Sequence, residues 1–357
     1  MNYKLLTLAD KQEWAILLNQ LPQEQQDVYF TPKYYALYEE YGDGKAHCFV
    51  FEKDGELILY PFLKNSINAL GYQLDKAYYD IQGAYGYNGI LSSSKDKHFI
   101  STFHACFEKY CIENNIIAEF TRFHPILNNY ELSINNINVV LDRKTVALNV
   151  NQSYNDIWTK AYSSKNRNMI RKAHKLGYHA NIIESTSIDD INQFIDIYSN
   201  SMQAVGAEQY YFFNQDFFKN MFEFLKGHIY LINIKDKNEL VVCSSIFFHY
   251  YKYFHYHLSG RIQEADNSVN NFLLDEAVKL AQKLGAELFH FGGGRTGSTD
   301  DSLLKFKENF SKTSFDFYIG KQIYNQKVYD NVVEQWKTNH PLSYQNHAMK
   351  LLGYREI

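Results

Sequence analysis

The chain has 357 residues, more than one hydrophobic core usually organises, so about two domains are expected. With 45% apolar residues, 30 Tyr and 26 Phe, it is too rich in core-forming side chains to be disordered. A formal net charge of −4 excludes a surface coated for DNA, so any anion site must come from local clusters of cations.

In chain order, residues 11–18 read as a helix, and a second helix follows Pro32 through Tyr38. Residues 46–52 and 56–63, joined by Lys53-Asp54-Gly55, predict a hairpin, because Asp-Gly tolerates the positive φ of a tight turn. The glycine-spaced segment 83–90 is either a ligand cradle or a plain aromatic turn, and it leads to a helix over 99–114. Extended pieces are expected at 116–120 and 139–150. Helices then cover 164–177, 191–205 and 217–226, followed by strands at 228–234, 240–250 and 253–258. A long helix over 269–284 is closed by Gly285, where a left-handed cap is wanted. After it come the apolar strand 288–291 with its glycines, a short lysine-bearing helix around 303–310, and a final strand at 314–319.

The order helices, meander, helix, strand, helix, strand predicts a mixed α/β (α+β) fold, and the first part reads as a degenerate copy of the second. The boundary is placed near residue 150, giving domains 1–150 and 151–357. No apolar run reaches the roughly 18 residues of a membrane span, and no long apolar signal core follows Met1. A cytoplasmic protein with at most peripheral membrane contact is therefore expected. Cys48, Cys106, Cys111 and Cys243 form no C-x-x-C pair and no zinc-finger spacing, so they read as reduced thiols and no metal is expected. His255 and His257 alternate on one strand; two such histidines among tyrosines are usually packed aromatics, and His257 is kept as a candidate base.

Three clusters carry chemistry. Between Lys160 and Lys175 there are six cations and no acidic residue; Arg167 and Arg171, four apart, share a helix face. This is either a solvated basic face or a grip on a phosphate-bearing partner, with Lys165, Arg167 and Arg171 the contact candidates. The strand exit Tyr256–Arg261 feeds a helix capped by Asn267 or Ser268, whose first-turn amides could hold a phosphate or simply be capped. Finally, Phe291-Gly292-Gly293-Gly294-Arg295 lets a backbone approach a ligand closely, and Gly297 completes a Walker-like spacing. Ser298 stands where that motif needs lysine, so an ATPase is excluded. On the next helix Lys305 or Lys307, beside a strand end, could stabilise an oxyanion or carry protons.

The helix Lys165-x-Arg167-x-x-Ile170-Arg171-Lys172-Ala173-x-Lys175-x-Gly177, the exit Tyr256-His257-Leu258-Ser259-Gly260, the glycine strand and Phe306-Lys307-x-x-Phe310 together resemble the FemAB/BioF2-like branch of the GNAT acyltransferases. The resemblance spans about residues 160–320 and implies two tandem GNAT-like domains, each a mixed, mostly antiparallel sheet flanked by helices. It implies transfer of an acyl group, from acetyl-CoA or another acyl-CoA, to an amine or hydroxyl of a cell-surface sugar or cell-wall precursor. An aminoacyl-tRNA donor, as in the FemABX peptidoglycan-bridge branch, and a non-catalytic precursor-binding scaffold are the alternatives. On the family pattern Lys307 acts at the transfer centre with His257 as a secondary candidate. Gly260, Arg261, Asn270 and Gly293 are implicated in holding the donor, and Lys165, Arg167, Arg171 and Arg295 a phosphate-bearing or lipid-linked acceptor. One departure bears on the donor: the pyrophosphate loop Q/R-x-x-G-x-G/A is missing, since Arg261 is followed by Ile262-Gln263-Glu264-Ala265-Asp266.

Overall fold

The computed structural model describes residues 3–357. Two compact units emerge: one runs up to Asp142 and takes in Phe317–Ile357, the other is Arg143–Asp316.

The first unit opens with β1 (Tyr3–Thr7), α1 (Lys11–Gln20), α2 (Pro32–Tyr41), β2 (Lys45–Lys53), β3 (Glu56–Ser66), β4 (Tyr79–Gln82), β5 (Leu91–Ser92), α3 (Lys97–Glu113) and β6 (Ile116–Arg122). Local chemistry sets these ends. Thr31 caps α2 by accepting from the Tyr34 amide, Pro32 fits its first turn, and Gly42 closes it at φ 101°. Asp54 and Gly55 take φ 55° and 85°, the positive values expected for the β2–β3 turn. The strands run in the order β1-β2-β3-β4-β6. All neighbours are antiparallel except β4 and β6, which the α3 crossover makes parallel. Phe49, Phe62, Phe103 and Phe107 fill the space between sheet and α3.

The strand β7 (Asn138–Asn149) passes into the second unit at Arg143. There follow α4 (Tyr154–Asp156), a π-helical turn Ile157–Ala161, α5 (Ser164–Lys175), β8 (His179–Ile183), α6 (Ile188–Ala204), α7 (Gln215–Phe224), β9 (Ile229–Lys235), β10 (Val241–Tyr250), β11 (Tyr253–Arg261), α8 (Ser268–Lys283), β12 (Leu288–Gly293) and α9 (Ser302–Lys307). The strand order is β7-β12-β11-β10-β9-β8, again antiparallel except for one pair, β11 and β12, joined through α8. The apolar face of α8, with Phe272, Leu273, Ala277 and Leu280 buried, supplies much of the core. Gly285 ends α8 at φ 77°, the left-handed cap expected there. Its start differs from expectation: Asn267 makes no side-chain capping bond, and Asp266 Oδ1 instead accepts from the Ser268 amide at 2.9 Å.

The last segment returns to the first unit. There β13 (Ser314–Ile323) pairs with β6 from Ile319 onward and is followed by α10 (Gln326–Asn339) and α11 (Pro341–His347). The two units share one wiring: β1-α1-α2-β2-β3-β4-α3-β6 in the first corresponds to β8-α6-α7-β9-β10-β11-α8-β12 in the second. Each then needs one more antiparallel strand beside β6 or β12. The chain supplies these crosswise, β13 for the first unit and β7 for the second. Hence the units do not divide at residue 150: residues 143–150 pack with the second unit and 317–357 with the first. The sequence reading also passes over β1, β4, β8 and the helices α10 and α11. Of these, β8 (His-Ala-Asn-Ile-Ile) is a largely exposed edge strand with no apolar alternation to mark it.

Among the described residues no helix is long and apolar enough to cross a membrane. All four cysteines are free, with Cys48, Cys111 and Cys243 buried.

Candidate active site

The second unit has one place where its sheet opens. The parallel ladder between β11 and β12 pairs Tyr253 with Leu288, Phe254 with Phe289 and His255 with His290, and among the described residues it goes no further. Past that point β11 continues beside β10 as far as Arg261, and β12 beside β7 as far as Gly293. Two neighbouring strands that each keep only their outer partner expose inward-facing backbone groups, which a ligand can satisfy. In the first unit all four residues of β4 remain laddered to β6, so the same wiring stays closed there.

Lys307 reaches this opening. It ends the six-residue α9, whose start is fixed by Asp301: the carboxylate accepts from the amides of Leu303 and Leu304 at 2.9 Å each, and from those of Arg295 and Thr296 at 2.9 and 3.0 Å. These bonds hold the Asp301 carboxyl down at about 2 despite its partial burial. Leu304 and Phe310 anchor the same turn in the core, with the Phe310 ring 5.4 Å from that of Phe291. Lys307 itself is only 6% exposed. Its Nζ donates to the Gly293 carbonyl at 2.6 Å and lies 5.8 Å from the centre of the Tyr256 ring. Burial pushes the Lys307 amine down to about 7, Asp301 opposing and Arg143 reinforcing the shift. Gly292 takes a φ of 76°, which favours glycine, and a Cβ there would crowd the Lys307 Nζ at 3.3 Å.

Opposite, β10 and β11 bring together a hydroxyl cluster. Ser245 and Ser259 bond to one another at 2.5 Å, and the Tyr256 hydroxyl bonds to both, with burial raising its ionisation well above the ordinary tyrosine range. His257 sits at the bulge between β10 and β11, where Tyr256 pairs with Phe247 and Leu258 with Ile246. Its ring lies tilted against Phe248 with the centroids 4.3 Å apart, and burial, with His255 adding to the effect, drives it down to about 3. The ring is therefore neutral near pH 7 and a poor proton acceptor.

The other expected site residues fall into two groups. Gly293 and Arg295 lie on the Lys307 turn, Arg295 exposed. Gly260 has a packing role: a Cβ there would meet the Ile197 carbonyl and the Tyr198 backbone of α6 at 2.7 Å. Gly260→Ala is expected to destabilise the protein by about 1–3 kcal/mol, measured by thermal denaturation, because helix backbone rather than a side-chain end must move. Arg261 braces the loop before α8, donating to the Ala265 carbonyl at 2.7 Å and to Asn267 Oδ1 at 2.9 Å. Asn270 accepts from the Cys243 thiol at 3.7 Å. Arg167 donates to the carbonyls of Trp158 at 3.1 Å and Tyr162 at 2.5 Å, so it fastens the π-helical turn. Arg171 is exposed, its guanidinium 5.3 Å from the Trp158 ring, and Lys165 and Lys175 are exposed beside it. Lys172 pairs with Asp266 at 2.5 Å, and this bond first, then those from Ser268, hold that carboxyl near 2.

Sequence reasoning missed Arg143, Tyr256 and Asp301. Asp301 carried a readable signal, an Asp just before the apolar Leu303-Leu304 helix start. Tyr256 lies within the strand exit Tyr256–Arg261, where nothing in the spacing singles out its hydroxyl.

Residues 164–307 match the sequence family described as Acetyltransferase (GNAT) domain. No curated protein matches the chain in sequence. Among solved structures, FemX superposes with a TM-score of 0.68 at 13% identity, covering 92% of this chain and 99% of its own. L-PGS from Bacillus licheniformis gives 0.55 at 12% identity, covering 88% and 92%. A tandem GNAT protein from the clavulanic acid biosynthesis pathway gives 0.52 at 7% identity, covering 89% and 98%. Residues 164–307 thus form a domain of the GNAT acetyltransferase type, and the chain as a whole shares the fold of FemX and of a tandem GNAT protein.

Proposed function

We propose that the protein transfers an aminoacyl group from an ester donor to the amine of a phosphate-bearing cell-envelope precursor, with Lys307 carrying the proton. The observation that carries this reading is a buried lysine amine near neutrality, aimed at the opening between β11 and β12. An amine of that kind can take a proton and return it in one cycle.

The acceptor amine attacks the ester carbonyl carbon, forming the C–N bond as the carbonyl π pair moves onto oxygen. Neutral Lys307 takes the proton from the new ammonium nitrogen, and its own charge then stabilises the adjacent oxyanion. As the C–O bond to the donor breaks, that proton passes to the leaving oxygen. An amide and a free hydroxyl result, and Lys307 is neutral again. Tyr256, Ser245 and Ser259 orient the donor's hydroxyl-bearing end, while the exposed Lys165, Arg171 and Arg295 attract the acceptor phosphates. His257, neutral and weakly basic, is left as a packing residue.

Two features favour an ester over CoA. The loop between β11 and α8 lacks the pyrophosphate signature, and the Asp266 carboxylate occupies the first amide of α8, where a phosphate would otherwise sit. The likeness to FemX points the same way. A second reading, acetyl transfer from acetyl-CoA, is favoured by the family description of residues 164–307. The deciding experiment offers labelled aminoacyl-tRNA and labelled acetyl-CoA separately with peptidoglycan precursors. Label passing from the tRNA supports the first reading; label passing only from acetyl-CoA replaces it with the second, and transfer from neither removes both.

A further inference from the structure

We infer that Arg143 is a positioning residue for Lys307, holding the turn on which the amine rests and placing a fixed positive charge beside it. The inference extends the role proposed for Lys307 to a residue outside the matched domain, since Arg143 precedes residue 164.

Arg143 enters on β7, two residues before the Thr145–Gly293 pair that ends the β7–β12 ladder. Its Nη1 donates to two successive carbonyls, Gly294 at 3.1 Å and Arg295 at 2.8 Å. Its methylene stem lies across Gly293, where a Cβ would meet Cδ at 3.2 Å and Cγ at 3.5 Å. The neighbouring Gly293 carbonyl receives the Lys307 amine at 2.6 Å. Three consecutive carbonyls are thus turned toward two cations, Gly293 to Lys307 and the next two to Arg143. A turn of glycines cannot keep its carbonyls so aligned by itself, because glycine backbones adopt many conformations at little cost. The guanidinium, planar and positively charged, supplies both the alignment and a local positive field.

The charges that bear on the Lys307 amine are Asp301 from the start of α9, which favours the ammonium, and Arg143 from β7, which favours the neutral amine; the Tyr256 ring faces it from β11. Burial is the dominant cause and outweighs Asp301, and Arg143 adds to it in the same direction. A base that must be neutral to accept a proton gains from such a neighbour. Lysine in place of Arg143 keeps the charge but cannot grip two carbonyls in the same plane.

The test reads the amine itself. Lys307 is labelled in the intact protein with trace acetic anhydride across pH 5–10, and the rate is followed by mass spectrometry of its peptide. In the unaltered protein the rate should reach half its plateau near pH 7. In Arg143→Gln the midpoint should rise by on the order of one pH unit, leaving about five-fold less neutral amine at pH 7. Arg143→Lys should keep the midpoint closer to 7 yet lower transfer, through looser placement of the amine. A midpoint unmoved in Arg143→Gln, with circular dichroism and melting unchanged, overturns the inference. If the midpoint moves as expected but Lys307→Met transfers normally, the inference stands and the role proposed for Lys307 falls instead.

Discussion

Lys307→Met should lower the rate of acyl transfer by about 10²–10⁴-fold while the protein remains folded, the loss typical of removing a positioned proton carrier. Methionine keeps the length and apolar stem of lysine, and the site is 94% shielded by the same neighbours, since Lys307 is 6% exposed. The core turn around Leu304 and Phe310 should therefore survive. Lys307→Arg separates two roles. Arginine supplies a positive charge for an oxyanion but cannot release its proton near neutrality, so a proton-carrying Lys307 predicts an arginine variant nearly as inactive as the methionine one. The pH dependence has a definite sign. A folded-state amine near 7 lies below its unfolded value, so the neutral, proton-accepting form is depleted as pH falls below about 7. Transfer measured at subsaturating acceptor should rise through that point and level off above it. A limb that instead falls across pH 7 would assign Lys307 only to charge stabilisation.

The same shift affects stability. Because folding lowers the Lys307 pKa, the unfolded chain binds that proton more tightly, and the linked cost of burying the amine grows as the pH falls through the interval between the unfolded value and about 7. The site thus gives up some stability at neutral pH to hold a reactive amine, a trade common where function requires a perturbed group.

What the sequence made legible was chemistry carried by neighbours in the chain. The Asp54-Gly55 turn, the Gly285 cap and the run from Phe291 through Lys307 are all decided by residues within a few positions of each other. The glycines of that run serve a different end from the one their spacing suggests. Gly292 looks like part of a phosphate loop, whereas its missing Cβ makes room for an amine fifteen residues later. Arg143 could not be found this way, because the carbonyls it grips are 151 and 152 residues away. Nor could the crosswise supply of β7 and β13, since an extended segment of either unit offers the same backbone to any open sheet edge. Arg167 shows what spacing leaves out: it shares a helix face with Arg171, yet its Nη1 donates to two backbone carbonyls, of Trp158 and Tyr162.

In the first unit, Asp80→Ala is expected to cost about 3 kcal/mol, the low end for breaking a buried ion pair, because Arg355 keeps 20% of its side chain exposed. Asp80, fully buried on β4, accepts from Arg355 Nε at 3.0 and 2.8 Å and from the Tyr354 hydroxyl at 2.8 Å, and its carboxylate also lies 2.8 Å from Arg355 Nη2 as an ion pair. Removing the carboxylate leaves a guanidinium and a buried phenol with no acceptor in place, and that loss, more than the lost attraction, sets the size of the effect. These bonds join β4 to the end of a segment that also buries Val332, Trp336 and Tyr354 against Ile67 and Ile117. The melting temperature should fall by roughly 6–12 °C. Limited proteolysis gives the sharper reading. Since Asp80 fastens the helical segment that follows β13, the variant should be cut between residues 324 and 357 at a temperature where the parent protein resists. Asp80→Asn, which keeps the shape and one acceptor oxygen but not the charge, should fall between the two. If Asp80→Ala melts with the parent and resists cleavage equally, the ion pair is ornamental and the apolar contacts of Trp336 and Tyr354 alone hold the segment down.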